Sequence, residues 1–381
     1  MNSVCNKNNS WNNSCVNEAS LHRCTIFRAI HTGFYLTQRG CVGALCAFLV
    51  ILALAATSIN ASASTSTLKT IKERGYLNCG IGGVAVGQNF RDQSGRWLGF
   101  YPDFCRAIAA AVLGSGDEVE FIPTEAQNWA EALKSGAIDV LIDGRTWTLT
   151  RDAGLGLHFA GIYLYDGQGF LARRSLNVSR LADAGSARIC VAAGTTTEAN
   201  LLDYKTAHKA NYELVVFQAW DESVAGIFKG RCDILTADRL LLVAARANRA
   251  DRRDDYILLP DVISREPLGP VVKAGDDNWF NIVKWVLFAT IVAEERNITR
   301  ANLEAMKHSP DPEVRRLLGV EPGMGKILGL DENWAARIIA AVGNYGDIFE
   351  RNLGRQSVIG LERGQNSLWN QGGLIYAPPV R

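Results

Sequence analysis

Two stretches of this chain repeat one another. Ala130–Gly144 reads AEALKSGAIDVLIDG and Val224–Asp238 reads VAGIFKGRCDILTAD. Gly136 aligns with Gly230, Asp139 with Asp233 and Leu141 with Leu235, each pair 94 positions apart. Each copy reads as a helix, a glycine stop, an apolar strand, and then polar residues at the strand's carboxyl end. A chain carrying two such units builds two similar α/β bodies. In open parallel sheets ligands sit beyond the carboxyl ends of the strands. Two lobes facing each other across a cleft is the economical arrangement.

The segments around the repeat have the same character. Tyr76–Gly80, Val119–Ile122, Ile138–Ile142, Arg188–Ala192, Leu214–Phe217 and Asp233–Thr236 read as short apolar strands. Helices are expected from Pro102 through Val112 before Gly114, and over Asn128–Ser135 before Gly136. This alternation predicts an α/β fold with largely parallel sheets. The later part is mostly helical. Trp279–Glu294 is too short and polar to span a membrane, Asn333–Val342 is a second helix, and the Gly/Asn-rich tail to Arg381 drapes over one lobe.

The first 63 residues have a different composition. Lys7, Arg23, Arg28 and Arg39 face one acid, Glu18, and an apolar run from Cys41 to about Ala56 ends in Asn60-Ala61-Ser62-Ala63. A basic flank, a short apolar core and an A-x-A end read as a cleavable secretory signal, cut after Ala63. The competing reading, a permanent anchor, wants roughly 20 apolar residues. The full chain carries 40 basic and 39 acidic residues; without the leader's four and one, 36 and 38 remain. Neither balance offers a basic field for nucleic acid. Four cysteines remain as well: Cys79, Cys105, Cys190 and Cys232. An even number in an exported chain suggests two disulfides. Metal binding competes, but no CxxC or Cys/His cluster supports it, so neither a metal nor a cofactor is expected.

Three groups carry candidate chemistry. GRTWTLTRD, Gly144–Asp152, follows an apolar strand and offers a turn, hydroxyls including Thr146, and Arg151. An arginine fork suits a carboxylate, although a solvated arginine at a helix start is the bland alternative. GTTTE, Gly194–Glu198, places Thr195 and Thr196 where a helix opens, which suits an anion and equally suits an ordinary N-cap. Asp238 ends the second copy of the repeat, where it could hold an ammonium or simply cap a helix. Cation, amides and anion together match a free α-amino acid. No nucleophile–base pair stands out, and His158 reads as a packed or surface residue. The formal dinucleotide fingerprint Gly80-Ile81-Gly82-Gly83-Val84-Ala85 lacks the helix that should open behind it.

Several longer segments carry a family resemblance: TWTLTRD (146–152), YDGQGF (165–170), GTTTE (194–198), EPLGP (266–270), GDDNWFNIVKW (275–285), VGNYGDIFERNLG (342–354) and LWNQGGLIYAPPVR (368–381). The chain resembles the polar amino-acid ABC transporter solute-binding proteins, above all their general L-amino-acid-binding subgroup. The resemblance implies a two-lobed type II periplasmic binding fold: leader 1–63, first lobe 64–164 and 269–325, second lobe 165–268, and a helical extension 326–381 packed on the first lobe. Hinges would lie near Tyr163–Phe170 and Glu266–Val272. It further implies an L-amino acid ligand held by Arg151, Gly144, Thr146, Thr195, Thr196 and Asp238, disulfides Cys79–Cys105 and Cys190–Cys232, a periplasmic location, a monomer, no enzymatic activity, and delivery to an inner-membrane ABC permease. The alternatives are a secreted enzyme on the same fold, such as a cyclic-acid dehydratase, and an amino-acid sensor.

The departures cluster on the first lobe. Where relatives carry RNTTWT, this chain has Asp143-Gly144-Arg145-Thr146-Trp147-Thr148, and Tyr101-Pro102 replaces Asp-Val. Gly82 and Gly87-Gln88-Asn89 stand in the first cleft loop in place of an Asn and a GFS motif. Arg145 would either favour an acidic ligand side chain or sit at the rim.

Overall fold

The computed structural model describes residues 66–248 and 252–381; the expected signal segment lies outside them. It contains two five-stranded mixed sheets. In the first, Val119–Pro123, Leu77–Ile81 and Val140–Leu141 run parallel, Val271–Lys273 lies antiparallel beside them, and Leu157–Phe159, antiparallel to that strand in turn, forms the edge. In the second, Glu213–Phe217, Arg188–Ala192 and Ile234–Asp238 are parallel, Gln168–Arg173 lies antiparallel beside them, and Tyr256–Leu258, antiparallel to that strand in turn, forms the edge. The expected α/β class holds, with the same strand plan used twice.

The repeated motif has a structural cause. Asp139 accepts the backbone N–H of Asn78 at 2.7 Å, and Asp233 accepts that of Arg188 at 3.0 Å. Each aspartate thus ties its strand to the start of the parallel strand beside it. Arg74 pairs with the first and Arg188 with the second. The glycine stops have a local reason as well: Gly114 and Gly136 close their helices at φ 86° and 78°, a left-handed turn that side chains resist.

One expected strand is shorter than its apolar run. Ile138–Ile142 pairs as strand only at Val140–Leu141, because Ile138 N–H turns back to Ala132. Asp139 and Ile142 still donate to Asn78 and Gly80, so the ladder extends past the two-residue core.

The first sheet is covered by helices buried on nearly every side. In Phe100–Leu113 all residues but the last are buried, and Asp277–Glu295 and Trp334–Val342 join it in one apolar core reaching to Val380. Polar anchors fix this cover. Asp103 receives Arg351 at 2.6 Å and Asn352 at 2.7 Å, and Trp279 donates its indole N–H to the Asp139 carbonyl at 2.8 Å.

The chain passes between the sheets along Leu164–Asp166 and returns along Glu266–Leu268, two short antiparallel strands. The tail reaches this crossing too. Asn366 bonds both the N–H and the C=O of Tyr165, at 2.7 and 3.0 Å, and Tyr345 donates to the Tyr163 carbonyl at 2.8 Å. Beyond draping over one lobe, the C-terminal segment therefore braces a connecting strand.

Candidate functional site

The carboxyl ends of both sheets' parallel strands open onto one cavity of about 180 Å³. From the first sheet's side it is lined by Gly82, Gln88, Tyr101, Asp143 to Thr146 and Arg151, and from the second sheet's side by Thr195, Thr196 and Asp238. The lobes touch across it: the hydroxyls of Thr146 and Thr196 lie 3.2 Å apart, and Gln127 donates to the Gln218 carbonyl at 3.2 Å. The cleft is closed.

Arg151 stands on a single π-helical turn, Thr150–Gly154, a wide turn that often marks functional positions. Its guanidinium donates to the Thr146 carbonyl at 3.0 Å and lies 5.8 Å from the Trp129 ring, leaving further N–H groups for an occupant. Burial pulls its pKa down, opposed by Asp143, Glu266 and Asp238. Arginine stays cationic through such shifts.

Thr195 and Thr196 divide the helix start between them. Thr195 is the N-cap, accepting the Glu198 N–H at 3.2 Å, while Glu198 turns back to Gly194 N–H at 2.8 Å. The capping reading therefore accounts for the Thr195 hydroxyl, whereas Thr196 faces Thr146 across the cleft. Asp238 starts the helix Arg239–Ala247 and makes no side-chain cap bond. The ordinary capping explanation fails there, and its carboxylate borders the cavity.

Asp238 belongs to a buried acidic group. Burial pushes its pKa well up, and Asp166 and Glu266 push it further. Asp166 is pushed up to about 6, again chiefly by burial, although Gly167 and Leu240 N–H groups counter this. A cation placed among these carboxylates would favour their ionised forms. Ligand binding below the raised Asp238 pKa is therefore expected to expel a proton. The measurement is titration calorimetry at mildly acidic pH in buffers of different ionisation enthalpy; heats independent of buffer would contradict it. The stability sign is the reverse. A carboxylate with a raised folded-state pKa contributes stability fully present below about 4, lost as pH rises through the folded value. Without ligand, Asp166 thus weakens the fold as pH climbs through about 6.

Several neighbours take on roles that could not be read from the sequence. Glu266, 1% exposed on the return strand, accepts from Thr146, from Ser264 and from Asn200 at 3.1 Å, so one carboxylate joins both lobes and the crossing. Trp129 supports Arg145 and Arg151 together, at 5.5 and 5.8 Å. Arg145 is no free rim cation: its Nε lies 2.9 Å from Asp143 Oδ2, with the side chain 13% exposed. Spending that charge on Asp143 removes the ground for expecting an acidic ligand side chain.

Cystines support the same walls. Cys190–Cys232 links the strand leading to Thr195 and Thr196 with the segment entering the strand that ends at Asp238. Cys79–Cys105 fastens the first strand to the helix that carries Tyr101.

Two α/β lobes on a pair of crossing strands, closed over a polar cavity between strand ends, define a two-lobed solute receptor. The chain belongs to the bacterial extracellular solute-binding proteins, family 3, whose profile matches residues 77–296. It is 47% identical to the general L-amino acid-binding periplasmic protein AapJ of Rhizobium johnstonii, over 84% of this chain and 94% of that one. It is 46% identical to the glutamate/glutamine/aspartate/asparagine-binding protein BztA of Rhodobacter capsulatus, over 88% and 99%. An ABC transporter periplasmic binding protein from Brucella ovis, solved with glutathione bound, superposes with a TM-score of 0.81 at 45% identity, over 83% and 100%.

Proposed function

We propose that this protein is a periplasmic receptor that closes around an L-α-amino acid and hands it to an ABC permease. The observation that carries the reading is the placement of Arg151 and Asp238 on opposite lobes of one closed cavity. Arg151 takes the carboxylate, helped by the Thr196 end of its helix, whose unpaired N–H groups and dipole favour an anion. Asp238 takes the ammonium, with Thr146 and Gly144 beside it. An occupant touching both lobes stabilises the closed state over the open one, which is how binding becomes a shape the permease can read.

The relatives' names agree on the shared part of their ligands. Those amino acids carry a free α-amino-carboxylate head, and so does glutathione through its γ-glutamyl residue. Export through a leader cleaved after Ala63, and action as a monomer without catalysis, complete the reading. In it, residues 64–164 and 269–325 form the first lobe, 165–268 the second, and 326–381 the brace. The test is calorimetric titration of the purified protein, freed of ligand by unfolding and refolding, with the twenty amino acids in pools and then singly. Saturable binding is expected; silence from a protein with native circular dichroism would remove the reading and favour an enzyme or another ligand class.

A further inference from the structure

One wall of the cleft is unfinished. Gln88 Nε2, Tyr101 Oη and Asp143 Oδ1 are buried and have no hydrogen-bond partner, while Arg145 Nε meets only the other Asp143 oxygen, Oδ2, at 2.9 Å. All four side chains line the ligand cavity. Gln88, Tyr101 and Asp143 are 3%, 2% and 3% exposed. A buried hydrogen-bonding group left unmade is destabilising, so three on one wall mark a surface completed by an occupant. They all belong to the first lobe, and the amino acid head is accounted for by Arg151, Thr196 and Asp238.

The types of group decide what fits. Gln88 Nε2 can only donate, Asp143 Oδ1 of a carboxylate can only accept, and Tyr101 can do either. Arg145 and Asp143 stand 2.9 Å apart, so a ligand group meets both signs at once. A second carboxylate would satisfy the donors but press against Asp143. An ammonium or guanidinium would satisfy Asp143 but press against Arg145, with Arg151 also near. An alkyl chain would leave all three unmade. A carboxamide offers a carbonyl to the donors and an N–H to Asp143, without net charge.

We propose that this wall is a side-chain subsite selecting a carboxamide: the primary amide of glutamine or asparagine, or the γ-amide link of a γ-glutamyl peptide. The inference rests on the amino acid reading above and narrows it. The wall also occupies the positions, Tyr101, Asp143 and Arg145, at which the sequence departs from the pattern it otherwise follows. Specificity would therefore have been rewritten on one lobe while the head contacts stayed.

The test compares L-glutamine, L-asparagine, L-glutamate, L-norleucine and γ-L-glutamylglycine by calorimetry at neutral pH, on the wild type, Asp143→Asn and Tyr101→Phe. Glutamine or asparagine is expected to bind at least about tenfold more tightly than glutamate and norleucine, since a site built to hydrogen-bond rejects ligands that leave its groups unpaired. Asp143→Asn removes the anion while keeping the shape, so the amide-to-acid ratio should fall by about tenfold or more. Tyr101→Phe should weaken glutamine more than norleucine. γ-Glutamylglycine matching glutamine would identify a peptide source; its exclusion would identify the free amino acid. Equal binding of all the amino acids, or a ratio unmoved by Asp143→Asn in a protein with wild-type melting, overturns the subsite and leaves the receptor reading standing. Silence from every compound overturns both.

Discussion

Replacing Arg151 by alanine is expected to abolish measurable amino acid binding, a loss on the order of a hundred- to a thousandfold. Truncating one partner of a buried, hydrogen-bonded charge pair costs about 3–5 kcal/mol, largely because the other charge is left unpaired in the interior. Here the stranded charge would be the ligand's carboxylate. It would sit in a closed cavity beside Asp143 and Asp238, with Arg145 already paired to Asp143. The fold should survive, because Arg151 stands on a short turn rather than in the apolar core and its own guanidinium bond is one contact to the Thr146 carbonyl. Calorimetry paired with a thermal melt checks both halves. Undiminished affinity would contradict the site assignment, and lost binding together with lost folding would call for Arg151→Lys, which keeps the charge without the fork.

The second large effect falls on stability. Cys190 and Cys232 are fully buried and 42 residues apart. The chain-entropy treatment of a loop that size gives about 4 kcal/mol, against a total stability of about 5–15 kcal/mol for an ordinary domain. The double variant Cys190→Ala, Cys232→Ala should lose about that much in chemical denaturation. A loss under about 1 kcal/mol would mean that the reduced chain is already constrained there. Because the bridge joins the segments that deliver Thr196 and Asp238, residual folded variant is also expected to bind ligand more weakly. Cys79–Cys105, separated by 26 residues, should contribute slightly less by the same reasoning.

Local grammar made the architecture legible. The echo of Ala130–Gly144 in Val224–Asp238 carried the two-lobe reading because its aspartates do the same work twice, each receiving a backbone N–H from the neighbouring parallel strand. Glycine stops and apolar runs fixed the helices and strands near them for reasons that act over a few residues. The site was legible only where function and strand end coincide, as at Arg151 and Asp238. The site contacts of Glu266, placed only at a hinge, escaped notice because its partners, Thr146 and Asn200, lie 120 and 66 positions away and nothing in EPLGP announces them. The pairing of Arg145 was hidden for a related reason. A charge two residues from an aspartate can be free or paired, and only the backbone turn at Gly144 decides that it faces Asp143.

The tail shows the same limit. Asn366 looks like an ordinary turn residue in a Gly/Asn-rich stretch, yet it satisfies both backbone groups of Tyr165 on the crossing strand. Such contacts follow from where the chain returns in space, information that spacing and composition do not carry.

The central claim, that one lobe holds a carboxylate and the other an ammonium, is tested most directly by splitting the ligand's head. The tightest-binding amino acid should be titrated beside two analogues, one lacking only the α-amino group and one lacking only the α-carboxylate. Both are expected to lose about a hundredfold or more, each leaving a buried charge on one lobe unanswered. An analogue that binds as tightly as the parent amino acid would contradict the account, because the lobe it fails to engage would then have no part in closing the cleft.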